Sequence, residues 1–186
     1  IPIEDFYIDE SNGGHGTHYV YDTASVDSEC AQAKASMVAA RKRSAARLPP
    51  VGSSPMANAH WLLRALEALA LVGLRVIVFG SIDPRAECLC LAAGASHVTT
   101  VDYNQLEFHH PALSTITVNQ LAAAPLDELQ FDVALSLSSF DHDGLGRYGD
   151  RLHPWGDLLA MRGAWRALRP GGRLLLTVPV GPDVLV

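Results

Sequence analysis

The segment from Arg75 to Asn104 limits the possible folds more than any other part of this sequence. Four apolar residues, Val76-Ile77-Val78-Phe79, run without interruption into Gly80-Ser81. An alanine- and leucine-rich stretch from Pro84 to Ala93 follows and ends at Gly94, and a second run, His97 to Val101, stops at Asp102. Short β-branched and aromatic runs bounded by turn residues read as strands buried on both faces. Pro84 suits the first turn of a helix with Asp83 as its N-cap, and Gly94 suits the position past its end. Strand, tight turn, helix and strand in that order define a crossover unit of a parallel sheet, right-handed by rule.

Chemistry follows from two positions in that unit. Gly80, with Ser81, stands where the first strand meets the helix, so the backbone is open to a ligand beside a helix N-terminus. Asp102 follows Gly80 by about twenty residues, at the end of the second strand, where such folds bond a ribose diol. Gly80-Ser81-Ile82-Asp83-Pro84 carries one glycine where the dinucleotide fingerprint carries three. The missing glycines disfavour a pyrophosphate and hence a nicotinamide-dependent oxidoreductase. A ligand with a ribose and no phosphate fits better, and S-adenosylmethionine is the common one. Tyr103 adjoins the ribose position.

The rest of the chain reads as follows. Residues 1–53 form an N-terminal extension with one helix, capped by Asp27 or Ser28 and running to about Arg47, then a linker after Leu48-Pro49-Pro50. His15 and His18 lack a third convergent metal ligand, and His18 to Tyr21 reads equally as a short strand or a lid. Residues 54–186 form the main domain, opened by a helix from Ser54-Pro55 to Val72 with Leu62, Leu66 and Leu69 on one face. A polar loop follows Asn104 through Pro111, and strands are expected at Thr115 to Val118 and Phe131 to Leu137. Asn119 and Gln120, just after a strand, are placed to meet an adenine. A helix over Leu158 to Leu168 puts Leu158, Met161, Trp165 and Leu168 on one stripe expected in the core, before a last strand from Arg173 to Val180.

Ser136 to Asp150 leaves the C-terminal end of a buried strand, where open parallel sheets place ligands. It packs Asp141, His142, Asp143, Arg147, Tyr148 and Asp150 among three glycines, more ionisable chemistry than a turn needs. His142 is the candidate general base, its ordinary pKa near neutrality suiting it to take a hydroxyl or amine proton. Asp141 or Asp143 could orient it, or the carboxylates could hold Mg²⁺, although no metal ligand set is assigned.

Other features exclude classes. A formal net charge of −6 over 186 residues argues against a nucleic-acid backbone as partner. Arg64, Glu67 and Arg75 interrupt the longest apolar stretch, so no membrane span is expected. Cys30, Cys88 and Cys90 offer no disulfide framework or zinc spacing, and Cys88 and Cys90 read as small core residues. Ile1 to Asn12 lacks the basic and apolar regions of a secretory signal, giving the expectation of a cytoplasmic protein.

Leu168-Arg169-Pro170-Gly171-Gly172, followed by the strand from Leu174, is similar to the L-x-P-G-G element before the fifth strand of the S-adenosylmethionine-dependent methyltransferase superfamily. More narrowly, the chain resembles a domain-of-unknown-function family placed among such methyltransferases. Gly80-Ser81, Pro84, Glu87, Gly94-Ala95, Val98 to Asn104, Ser138 to Asp150, Pro154 to Asp157, Val178 to Gly181 and Asp183 carry that likeness over roughly Val76 to Asp183. The resemblance implies an α/β, Rossmann-like parallel sheet with helices on both faces, here without the last two strands of the methyltransferase sheet. It implies S-adenosylmethionine as cofactor, with Gly80 and Ser81 at the methionine end, Asp102 at the ribose, and Ser138, Ser139 and the residues to His142 at the mouth. The expected function is methyl transfer to a small or saccharide-like acceptor; the alternative is an inactive relative kept as a binding or assembly module. Leu174 to Val180 would form an apolar edge, which an oligomer or a partner is expected to cover.

Overall fold

The structure, a computed structural model, describes residues 17–42, 55–146, 148 and 150–179. Its centre is a five-stranded, all-parallel sheet of β2 (Arg75–Phe79), β3 (His97–Asp102), β5 (Leu113–Thr117), β6 (Phe131–Leu137) and β7 (Leu168–Thr177). The spatial order is β5-β3-β2-β6-β7, so the chain steps outward from β2 in one direction and then from β6 in the other. This is the Rossmann-like α/β architecture expected from the sequence. The order reverses between β2 and β6, and such a switch point opens a crevice at the strands' C-terminal ends.

Alternation along the strands divides the core in two. Val76, Val78, Val98, Val133 and Leu135 face one side, where α1 (Thr23–Lys42), α2 (Pro55–Leu69) and α3 (Arg85–Ala92) supply Val26, Leu66 and Cys88. Ile77, Phe79, Val101 and Ala134 face the other, against α4 (Val118–Ala123), α5 (Gly156–Ala167) and the 3-10 turn Phe140–His142. Burial on both faces is why the strands read as unbroken apolar runs. A parallel two-stranded ribbon, β1 (His18–Tyr21) with β4 (Gln105–Phe108), lies beside β5, and Tyr21 meets Phe108 edge to face with ring centroids 5.6 Å apart. The segment before Pro111, expected as a loop, thus contains a strand, because β1 supplies it with a hydrogen-bonding partner from 87 residues earlier.

Several boundaries differ from expectation. α1 starts at Thr23 because Asp22 Oδ1 accepts from Ser25 N–H at 2.8 Å, an earlier cap than Asp27 or Ser28. Thr117 and Gln120 form a reciprocal capping box, so the third strand ends at Thr117 and α4 begins at Val118. α3 begins at Arg85 with Pro84 at its N-cap position, so Asp83 stands one residue before the expected cap, its Oδ1 accepting from Arg85 N–H at 3.1 Å. The expected end of the first helix near Arg47, the linker after it and Ser54 lie outside the described residues, as does His15.

Two expectations fail for tertiary reasons. Cys30 and Cys88 are joined in a disulfide, because α1 packs against α3 and brings their Cα atoms to 4.6 Å across 58 residues of sequence. Cys90 remains a free, buried thiol. The Leu158–Met161–Trp165 stripe of α5 is not core: Trp165 is 75% exposed and Leu158 52%. The helix approaches the sheet through Ala164 and Ala167 instead, since small side chains permit close helix–sheet contact. On β7, Leu174 and Leu176 pair beside Ala134 and Ser136 and are also exposed, leaving an apolar strand at the sheet edge among the described residues.

Candidate functional site

A cavity of about 1080 Å³ opens at the C-terminal ends of β2, β3, β5 and β6 and extends along α4 and α5. Pockets for small molecules run to roughly 300–1,000 Å³, so this space has the size of a small-molecule site. Of the residues singled out from sequence, Gly80, Asp102, Tyr103, Asn119, Ser138, Ser139, His142 and Asp143 line it. Ser81, Gln120 and Asp141 do not. Gln120 is committed to capping α4, and Ser81 turns into the protein towards Glu87. No residue of α1 reaches the cavity.

Gly80 ends β2 with φ +68°, and its N–H donates to Val101 C=O at 2.8 Å, tying the turn to β3. A β-carbon at this position would collide with Ser139 Oγ and stand 2.7 Å from Ser139 Cβ. The space left by glycine is therefore taken by the loop after β6, which closes tightly over the end of β2. Ser138, itself at φ +55°, starts that loop.

Asp102 caps β3. Its Oδ1 accepts from Asn104 N–H at 2.7 Å and from Asn104 Nδ2 at 2.8 Å, and Asn104 Oδ1 in turn accepts from Thr17 N–H at 2.9 Å. Burial raises the Asp102 pKa above the ordinary carboxylate range, against the pull of the Asn104 bonds. Next to it, Tyr103 donates its hydroxyl to Asp143 Oδ1 at 2.8 Å, joining the end of β3 to the loop after β6. Burial also raises Tyr103, with the Asp143 charge adding to the effect. Asp143 is pushed up to about 6, chiefly by burial and opposed by the Tyr103 bond, with Asp150, Asp102 and Asp141 raising it further.

The loop after β6 is built around Asp150. Its Oδ2 accepts from Gly144 N–H at 2.7 Å and Gly146 N–H at 2.9 Å, while Oδ1 accepts from Tyr148 N–H at 3.1 Å. Three backbone donors converging on one carboxylate fold the Gly-rich segment into a fixed turn. That turn presents His142, whose ring meets Tyr148 edge-on at 5.4 Å. Asp141 Oδ2 lies 3.6 Å from His142 Nε2 and accepts from Ser138 Oγ at 3.2 Å. Between the two carboxylates offered by the sequence as partners for His142, Asp141 is the adjacent one, and Asp143 belongs to Tyr103. Among the described residues no group of three or more histidine, cysteine, aspartate or glutamate side chains is arranged to hold a metal ion. His18 Nε2 instead meets Glu107 Oε1 at 2.8 Å.

Two features escaped sequence reasoning. Glu87 is fully buried beneath the β2–α3 turn, where its Oε1 accepts from Thr100 Oγ1 at 2.6 Å and its Oε2 lies 3.1 Å from Ser81 Oγ. An acidic residue flanked by Ala86, Cys88 and Cys90 within an apolar helix was the available signal. Arg151, Arg162 and Arg166 also line the cavity. The four-residue spacing of Arg162 and Arg166 on α5 was visible, but the direction of that face was not.

Among the described residues, no helix is long and apolar enough to cross a membrane. Residues 73–186 match the family model described as Caenorhabditis protein of unknown function, DUF268. No curated protein and no solved structure matches the chain. The match spans more than half of the sequence, and the chain belongs to that family.

Proposed function

We propose that this member of the DUF268 family binds S-adenosylmethionine at the β2/β6 switch point and transfers its methyl group to a small acceptor held in the same cavity. The observation that carries the reading is Asp102: a buried carboxylate at the end of β3, beside the switch point, on the wall of a cavity of about 1080 Å³. Asn104 occupies Oδ1, which fixes the carboxylate and directs Oδ2 to the role of ribose acceptor. Asn119, in the first turn of α4, lines the cavity and would meet the adenine edge, and Gly80 with Ser138 and Ser139, which also line it, would lie beneath the methionine end. Ser81 acts on that floor indirectly, through its bonds to Asp83 and Glu87.

When bound, S-adenosylmethionine would supply an electrophilic methyl carbon, the acceptor's lone pair forming the new bond as both electrons of the C–S bond leave on S-adenosylhomocysteine. Positioning carries most of such a reaction. The chain's own residues add proton management. His142 takes the proton released by a hydroxyl or amine acceptor, and Asp141, at 3.6 Å, stabilises the imidazolium that results. Asp143, with its pKa near 6, holds Tyr103 across the cavity and keeps the loop closed over β3.

Calorimetric titration with S-adenosylmethionine and S-adenosylhomocysteine, beside Asp102→Ala, tests the cofactor site. Micromolar binding that disappears in the variant is the expected result; a folded chain that binds neither compound would overturn the reading. Binding without turnover across an acceptor screen would assign the cavity to a ligand-sensing or assembly role. In that role the exposed β7 edge and α5 stripe would be the surface for a second copy or a partner.

A further inference from the structure

Each arginine outside the cavity has a partner among the described residues. Arg41 and Arg64 pair with Glu67, Arg85 with Glu29, and Arg169 with Asp132. Arg173 donates to Leu69 C=O, and Arg75 stacks 4.9 Å from the centre of the Phe131 ring. Arg151, Arg162 and Arg166 have none among the described residues, and all three line the cavity. In a chain of net charge −6, three cations left unmatched beside one cavity stand out against the partnered arginines among the other described residues.

The placement is selective as well. Arg162 and Arg166 are one turn apart on α5 and so share a face, while Arg151 lies in the segment that leads into the same helix. Asp102 reaches the cavity from the end of β3 and Asp143 and Asp150 from the loop after β6, and none approaches an arginine among the described residues within ion-pair distance. The cavity is therefore bipolar: a carboxylate wall at the strand ends and a guanidinium wall along α5. A carboxylate wall complements a cationic sulfonium and a ribose. The guanidinium wall complements an oxyanion, whose planar or tetrahedral oxygens accept paired N–H bonds from the guanidinium fork.

We propose that Arg151, Arg162 and Arg166 form an oxyanion subsite that holds a carboxylate or phosphate group of the methyl acceptor. The proposal deepens the methyl-transfer reading and rests on it for the acceptor's identity. The acceptor is thereby an anionic small molecule, such as a sugar phosphate or a uronic acid, rather than a neutral one. The arginines bind and orient; they take no part in proton transfer.

The test measures binding of inorganic phosphate, glucose 6-phosphate, glucuronate and glucose to the full chain by calorimetry, with and without S-adenosylhomocysteine. The double variant Arg162→Gln/Arg166→Gln, Arg151→Gln, and the distant control Arg41→Gln are compared, with melting temperatures confirming that each folds. Anionic probes should bind and glucose should not. Their affinity should fall about ten- to a hundredfold in the double variant, less in Arg151→Gln, and not at all in Arg41→Gln. Stronger binding of glucose 6-phosphate than glucuronate would assign the subsite to phosphate, and the reverse to carboxylate. Arginine variants that bind every probe as the wild type does, or a wild type that binds none, overturn the subsite. Loss of S-adenosylhomocysteine affinity in the arginine variants would also overturn it, since the arginines would then hold the cofactor's own carboxylate. Anion binding that depends on the arginines in a chain that fails to bind S-adenosylhomocysteine would sink the methyl-transfer reading and leave the subsite standing.

Discussion

Replacing Glu87 with glutamine should remove a large part of the protein's sensitivity to alkaline pH. Glu87 is 0% exposed, and burial pushes its carboxyl up from 4.5 to about 7, with Asp83 adding to the rise and the Thr100 and Ser81 bonds opposing it. The hydrogen-bond count supports a neutral acid independently. Ser81 Oγ owns one hydrogen, and Asp83 C=O, 2.8 Å away, can only accept it. Ser81 therefore cannot give its hydrogen fully to both Asp83 C=O and Glu87 Oε2, and a protonated Glu87 relieves that competition while its other oxygen accepts from Thr100. A folded pKa above the unfolded one gives stability that is complete below pH 4.5 and lost as pH rises through about 7. The gap corresponds to about 3 kcal/mol in full, at roughly 1.4 kcal/mol per pH unit, of which about 2 kcal/mol falls between pH 5.5 and 8.5.

Glutamine keeps the shape, donates to Ser81 and accepts from Thr100, but carries no proton to lose. Urea unfolding followed by circular dichroism at half-unit steps from pH 5.5 to 8.5 reads the difference. The wild type should lose about 2 kcal/mol more than Glu87→Gln over that range, the variant becoming the more stable protein at the alkaline end. Parallel pH profiles for the two proteins would refute the argument, because they would place the wild-type carboxylate in its ionised form throughout.

Two further outcomes follow from the loops around the cavity. Gly80→Ala should destabilise the protein by roughly 1–3 kcal/mol in urea unfolding, and by clearly more than Gly73→Ala. Both positions have positive φ, but only at Gly80 does a methyl group meet Ser139, while Gly73 faces open space. Equal costs would show that Ser139 yields freely. Asp150→Ala orphans three backbone N–H groups, worth roughly 1–3 kcal/mol each where burial is complete, in a loop that global unfolding need not follow. Limited proteolysis should therefore cut the variant within residues 143–153 well before the sheet, and an unchanged cleavage pattern would remove Asp150 from its structural role.

Much of the sheet was legible because its strands are buried on both faces. β2, β3 and β6 announce themselves as unbroken apolar runs, and Phe131–Leu137 was anticipated to the residue. The crevice was legible for a related reason: in a parallel sheet the C-terminal ends point one way, so Gly80, Asp102, Ser138 and His142 had to share an end. β4 was hidden, since Gln105–Phe108 alternates exposed and buried residues over only four positions and pairs with a distant strand. α5 misled in the opposite direction, its largest apolar side chains lying outward while alanines meet the sheet.

What the sequence determined by itself is local: where strands and helices form, which turn demands glycine, and which end of the sheet gathers polar chemistry. Those follow from short-range sterics and from the periodicity of apolar residues. The tertiary structure alone decided which polar groups meet. It set Tyr103 against Asp143 across 40 residues, joined Cys30 to Cys88 across 58, sealed Glu87 beneath Ser81 and Thr100, and left Arg151, Arg162 and Arg166 without counterions in a cavity of carboxylates. Hydrogen bonds and charge pairs act over a few ångströms and in any direction, so no spacing along the chain encodes them until packing has brought the elements together.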